Sequence, residues 1–412
     1  MRLRKWSIGV YAALGLALCL TGCGQSEQKE TKNQPTTAAV TASAVTDSKS
    51  EAKTLKEAFD GDFKVGVTTT SGYLSEEDRV AQIKENFNSI TMENEMKPES
   101  LLDWDGSEKS KDGMPVIKEE TLEKALKAAQ EAGIPLRGHT LVWYSQTPEW
   151  FFKKNYDAKK GYVSKKVMAK RMENYIKGVL EYCKKNYPGV VYCFDVVNEC
   201  VDDGTGDDSV NWNCRTTFNG GDNFWYATMG TDYVEKAFTY ARKYAEKGMK
   251  LIYNDYNVYV PAKEQNIYNL VKGLKEKNLI DGIGLQPTVD LYNPDELKGD
   301  SYDSFENCLK KYAELNVDIQ ITELSFKIDE ETGERDEKSL KRQADRYQEM
   351  FELLKKMDTA SGGPCNITSV TVFGICDDYP LYDDLVQCLY LWDKNAKPKE
   401  SFYRVREVGE SK

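Results

Sequence analysis

The chain carries a single histidine, His139, among its 412 residues. That excludes any metal site built on two imidazoles, and a zinc enzyme is not expected. No CxxC pair occurs, so nothing supports a zinc ribbon or a thioredoxin-type redox site. Positive charge is also short: 56 Lys and Arg against 67 Asp and Glu leave a net charge of -11. Nucleic acid needs a basic face and is excluded as a partner, whereas a soluble protein acting on a neutral polymer fits this balance. No glycine-rich phosphate loop follows the first strand candidate, where Val67-Thr68-Thr69-Thr70 stands instead. That counts against an open, doubly wound nucleotide-binding sheet. No cofactor and no metal are expected. From Leu55 to about Val405 no Pro/Ser-rich break interrupts the globular composition, so one large domain is expected.

The apolar run Ile8 to Leu20 is too short to span a bilayer stably, and Arg2, Arg4 and Lys5 precede it. This is a targeting segment rather than part of the fold. It ends Leu20-Thr21-Gly22-Cys23, which resembles a bacterial lipobox cleaved before Cys23 and acylated on its sulfur. The resemblance implies a signal peptide over 1–22 and a lipid anchor at the outer face of the cell membrane. Residues 24–53 are rich in Thr, Ser, Ala, Gln and charge without apolar periodicity. The segment 23–54 reads as a flexible tether, and 55–408 as the folded domain. Of ten cysteines, Cys19 leaves with the signal and Cys23 takes the lipid; the other eight are open to disulfides or to burial as free thiols. The 25 Tyr and 7 Trp suit sugar stacking or ordinary core packing equally.

Within the domain, β-rich apolar runs alternate with helix-period segments. The strand candidates are 63–68, 89–93, 136–143, 191–198, 250–254, 282–286, 318–322 and 369–373. Between them lie amphipathic helices over 119–132, 233–245 and 339–357, the first closed by Gly133 and Pro135. Eight strands with helical crossovers predict a closed (β/α)₈ barrel. Two strand runs end in glutamate: Phe194-Asp195-Val196-Val197-Asn198-Glu199 and Val317-Asp318-Ile319-Gln320-Ile321-Thr322-Glu323. The C-terminal ends of barrel strands carry the chemistry of this fold. Two carboxylates there are what glycosidic cleavage needs, a proton donor and a nucleophile or base.

Several further motifs recur in order, and with them the chain resembles glycoside hydrolase family 10, the family of endo-β-1,4-xylanases. Thr91-Met92-Glu93-Asn94-Glu95-Met96-Lys97 is similar to its TxENxMK segment, which implies that Asn94 and Lys97 bind sugar hydroxyls. Arg137-Gly138-His139-Thr140-Leu141-Val142-Trp143, with Gln146 just beyond, implies that His139, Trp143 and Gln146 line the sugar site beside the cleaved bond. The resemblance makes Glu199 the acid/base, Asn198 the partner of the sugar 2-hydroxyl and Glu323 the nucleophile, with Gln286 beside it. It also places Tyr256 and Phe373 among substrate-binding groups. The implied reaction is double displacement on a β-linked glycan, xylan by default, by a monomer. Glu323 is then ionised at rest, and Glu199 holds its proton under the influence of that charge, with the carboxyls about 5–5.5 Å apart.

The departures from the family pattern are specific. Thr288 and Ser325 replace a His and an Asp beside the nucleophile; Tyr144 replaces a His after Trp143; Phe373 and Leu381 replace two Trp that roof the site. These changes erode the sugar-binding walls while keeping both glutamates. They keep open a different β-glycan as substrate, or a cell-surface glycan-binding lipoprotein without turnover. The insertion 201–223 carries Asp202, Asp203, Asp207 and Asp208 without EF-hand spacing. A solvated acidic loop shaping substrate access is expected there. Calcium or a Cys200–Cys214 disulfide are the alternatives.

Overall fold

A computed structural model describes residues 53–290, 302–327, 337–377 and 390–411. Cys23, the targeting segment, all of the tether but Lys53 and Thr54, Leu381 and Cys388 lie outside these residues.

Eight parallel strands form the centre: β1 Lys64–Thr69, β2 Ser89–Met92, β3 Leu136–Trp143, β4 Val191–Asn198, β5 Lys250–Tyr256, β6 Gly282–Gln286, β7 Asp318–Lys327 and β8 Ile367–Val372. Each pairs with its neighbours in chain order. The pairing of β1 with β8 closes the barrel. The longer helices are α1 Glu77–Asn86, α2 Glu119–Ala132, α3 Lys165–Asn186, α4 Asp232–Tyr244, α5 Pro261–Glu276, α6 Tyr302–Ala313, α7 Glu337–Met357 and α8 Glu400–Glu410. In α2, Glu119 and Glu120 complement the positive end of the helix dipole, while Leu122, Ala125, Leu126 and Ala129 face the barrel. Gly133 ends the helix in the left-handed region at φ 69°, as a C-terminal cap requires.

The strands are buried on both faces, inward against the barrel core and outward against the helices, so they read as continuous apolar runs. Two glycines set how closely they approach. A Cβ at Gly138 would stand 2.6 Å from the Phe194 ring, and one at Gly284 2.2 Å from the Asn254 amide oxygen. A buried ion pair lies inside the barrel. Arg137 holds Asp195 with both terminal nitrogens and donates its Nε to Gln320 at 2.8 Å. Such a fully buried ion pair is tolerated because both members keep their hydrogen bonds.

The expected and observed strands agree within one or two residues, with one exception. β7 runs to Lys327 rather than stopping at Thr322, because a short strand at Thr288–Asp290 pairs with Ser325–Lys327. Thr288 and Ser325 thus occupy opposed register positions, with Ser325 two residues past Glu323 on β7. The 201–223 insertion forms a hairpin, Thr217–Phe218 against Gly221–Asp222, around Asn219 and Gly220 at φ 49° and 77°. Two consecutive positive φ values are what a tight hairpin turn demands, and Asn-Gly supplies them at low cost.

Candidate active site

The ladders slip just where the glutamates emerge. Register shifts fall between Asp195 and Val197 on β4 and between Ile321 and Leu324 on β7. Bulges at strand ends re-aim side chains, and here they turn residues toward the mouth of the barrel. Glu199 comes directly after β4, in the left-handed region at φ 57°. That conformation costs a non-glycine residue about 1–2 kcal/mol. Two backbone bonds hold it: the Glu199 N–H donates to the Asn254 carbonyl at 2.8 Å, and its own carbonyl accepts Arg215 Nε at 3.1 Å.

Glu199 and Glu323 line one cleft of about 270 Å³ with Asn94, Lys97, His139, Trp143, Gln146, Asn198 and Phe373. Trp143 Nε1 and the Tyr144 hydroxyl both donate to Oε2 of Glu199, each at 3.0 Å. Gln286 Nε2 donates to Oε1 of Glu323 at 2.9 Å and to Oδ1 of Asn198 at 3.3 Å. Asn254 donates to the same Asn198 oxygen at 2.9 Å and accepts from Thr322 Oγ1 at 2.7 Å. With its oxygen fixed twice, Asn198 presents a buried Nδ2 that meets no acceptor among the described residues. A buried unpaired donor lining a cleft is suited to a ligand hydroxyl.

On the far side Lys97 donates to Asn94 Oδ1 at 3.1 Å and Gln146 Oε1 at 2.8 Å, and Gln146 donates to Asn94 at 3.1 Å. Its ammonium also lies 5.1 Å from the Trp143 ring centre. Burial lowers the Lys97 pKa, and the surrounding carboxylates oppose that shift. His139 Nδ1 pairs with Asp195 Oδ2 at 2.7 Å, and burial pushes its pKa down despite that partner. A neutral ring donating through Nδ1 leaves Nε2 as an acceptor toward the cleft.

The surroundings also shift the titration of Glu323. The upward push falls on Glu323, which burial chiefly, and the Glu199 charge next, raise to about 8, while Lys97 pulls it down.

The proton held by Glu323 also acts on folding stability. An unfolded glutamate titrates at about 4.3. As pH rises from there to about 8, the unfolded chain loses this proton while the folded one keeps it, so folding stability falls across that window. Glu323→Gln never ionises and escapes the loss. Its melting temperature is expected to exceed that of the wild type by at least about 2 °C at pH 8, with a smaller difference at pH 5. An equal difference at both pH values would contradict this assignment of the proton.

Comparison with known proteins places the chain in a family. A model described as glycosyl hydrolase family 10 matches residues 54–408. The chain belongs to that family. A Caldicellulosiruptor saccharolyticus protein, assigned by inference as an endo-1,4-β-xylanase, is 55% identical over 315 residues, covering 76% of this chain and 97% of that one. Endo-1,4-β-xylanase A of Thermotoga maritima is 40% identical over 334 residues; the match covers 80% of this chain and 28% of that longer protein. Among solved structures, the CBM22-1–GH10 modules of Clostridium thermocellum endo-1,4-β-D-xylanase 10B with xylohexaose superpose at a TM-score of 0.78 and 33% identity, covering 89% of this chain and 69% of that one. A glutamate-to-alanine mutant of a Thermoanaerobacterium saccharolyticum xylanase with xylotriose gives 0.72 at 30% identity, covering 87% and 99%.

Not every residue that the family pattern suggested reaches the cleft. Gln286 acts from behind, holding Glu323 and Asn198. Tyr256 is not among the cleft-lining residues; its hydroxyl donates to Asp203 and accepts from Arg215 at 2.8 Å. The insertion spends its acids on protein partners: Asp203 on Lys263 at 2.9 Å and Arg215 at 3.0 Å, Asp207 on the Tyr226 hydroxyl at 2.8 Å. Cys200 and Cys214 are buried free thiols rather than a disulfide. Residues that sequence reasoning missed are Asp195, Asn254, Tyr144 as a hydrogen-bond donor, and Arg215. Asp195 and Asn254 sit within the strand motifs at β4 and β5. Arg215 lies in the insertion, and nothing in the local pattern connects it to Glu199.

Proposed function

We propose that this protein is a retaining endo-1,4-β-xylanase that works at the outer face of the cell membrane, held there by a lipid on Cys23. The observation that carries the catalytic reading is the convergence of Glu199 and Glu323 on one cleft, with the free Asn198 donor beside them. Family membership supports xylan as the substrate. The lipid anchor rests on the Leu20-Thr21-Gly22-Cys23 motif.

In the first step Glu323 attacks the anomeric carbon while Glu199 passes its proton to the departing glycosidic oxygen. Trp143 and Tyr144 stabilise the carboxylate that forms on Glu199, and Gln286 orients Glu323. The step needs the proton on Glu199 and the charge on Glu323. Sugar occupancy supplies the bias. A glycosidic oxygen beside Glu199 can only accept a hydrogen bond and favours the protonated acid, whereas sugar hydroxyls donating toward Glu323 favour its charge. In the second step water attacks the glycosyl-enzyme and Glu199 takes its proton. Asn198 donates to the sugar 2-hydroxyl, and the Lys97–Asn94–Gln146 cluster holds the next sugar outward. The wild type should release a ladder of xylo-oligosaccharides from unsubstituted xylan and little from other β-glycans. Cells carrying Cys23→Ala should release that activity into the medium. Single-sugar release from chain ends, or preferred cleavage of another β-glycan, would overturn the substrate reading; retention of the Cys23→Ala protein on the membrane would overturn the anchor.

A further inference from the structure

Tyr144 stands where the family pattern expects a histidine, and its hydroxyl reaches the same Glu199 oxygen as the Trp143 indole. Its ring is gripped from the insertion. The Arg215 guanidinium lies 4.8 Å from the ring centre, and the Phe218 ring centre is also 4.8 Å away, at the hairpin. Arg215 is itself tied to the Glu199 and Val201 carbonyls at 3.1 and 3.2 Å and to Asp203 at 3.0 Å. Lys263, fully buried, joins Asp203 to Asp255 at 2.9 Å each. One cation therefore braces both the backbone of Glu199 and the aromatic ring that contacts its carboxyl.

We propose that Tyr144, clamped by Arg215 and Phe218, is a positioning residue that confines the transferable proton to Oε1 of Glu199 and stabilises the carboxylate left after proton donation. The inference rests on Glu199 being the acid/base. Two donors on Oε2 leave no room for a proton there, so the proton given to the leaving group sits on Oε1. Both hydrogen bonds strengthen as the negative charge develops in the first step. Burial and the neighbouring Glu199 charge push the Tyr144 phenol upward, so it remains a donor throughout. The insertion thereby acts on the proton-transfer step as well as shaping the cleft edge.

The other charged groups facing Glu199 are Glu323 from β7, Asp255 from β5 and Lys97 beyond β2, with Arg215 on its carbonyl. Tyr144→Phe leaves all of them in place and keeps the ring packed, so its effects report on the hydroxyl. Expected is a loss of about tenfold in kcat/KM on xylan, which requires proton donation, and a change within about twofold on a 2,4-dinitrophenyl xylobioside, which does not. The alkaline limb of the xylan profile should move to higher pH, because a contact favouring the charged carboxylate is gone. Phe218→Ala should show the same discrimination more weakly. Equal losses on both substrates with an unmoved limb, or no loss at all, would overturn the proposal. Glu199→Ala, run in parallel, separates the two claims: failure of that variant to discriminate between the substrates would remove Glu199 as the acid, independently of Tyr144.

Discussion

Glu323→Ala is expected to lower xylan turnover by about four to six orders of magnitude, the usual consequence of removing a nucleophile that acts as part of a unit. Glu323 lies within β7 beside Gln286, and no other carboxylate among the described residues lining the cleft has that support. Added azide should restore part of the activity on an activated aryl xyloside, because the small anion fits the space the side chain vacates. It attacks from the face opposite the leaving group, so the product should be an α-xylosyl azide formed with a single inversion. A β-azide, or a variant that still hydrolyses xylan near the wild-type rate, would remove Glu323 from this role.

Glu199→Ala should lose about two to four orders of magnitude on xylan, the range contributed by a positioned general acid. The outcome on 2,4-dinitrophenyl xylobioside should differ in kind. That leaving group departs without a proton, so the glycosyl-enzyme still forms. It then accumulates, because no base activates water. Azide, needing no base, should release it as the β-azide after two displacements at the same carbon. Steady-state traces should show a burst and then a slow phase that azide accelerates. A uniform loss across both substrates, or an α-azide, would show that Glu199 does not carry the proton.

The opposite stereochemistry expected of the two azides reflects the two faces on which the carboxyls must stand, and much of that arrangement was legible in the sequence. β3, β4 and β6 fall on the residues expected from their apolar runs, since strands buried on both faces leave an unbroken pattern. Glu199 and Glu323 were legible because each closes a β-branched apolar run in the sequence. The extension of β7 to Lys327 was not, because it depends on pairing with Thr288–Asp290, a contact remote in sequence. Nor was the raised pKa of Glu323, which depends on groups that only the closed barrel brings together. The hydroxyl contacts of Tyr256 were not legible either, because only the folded insertion brings Asp203 and Arg215 to it. The departures at Thr288 and Ser325 resolve only to a register pairing, and Leu381 lies outside the described residues.

The central claim is a covalent, retaining cleavage by Glu323 and Glu199, and the anomeric configuration of the first-formed product tests it most directly. Proton NMR during the early course of xylohexaose hydrolysis, before mutarotation, distinguishes the new reducing ends. Two displacements predict that the β-anomer appears first and the α-anomer grows in only as mutarotation proceeds. The α-anomer appearing first would mean a single displacement by water, and the nucleophilic role of Glu323 would be wrong.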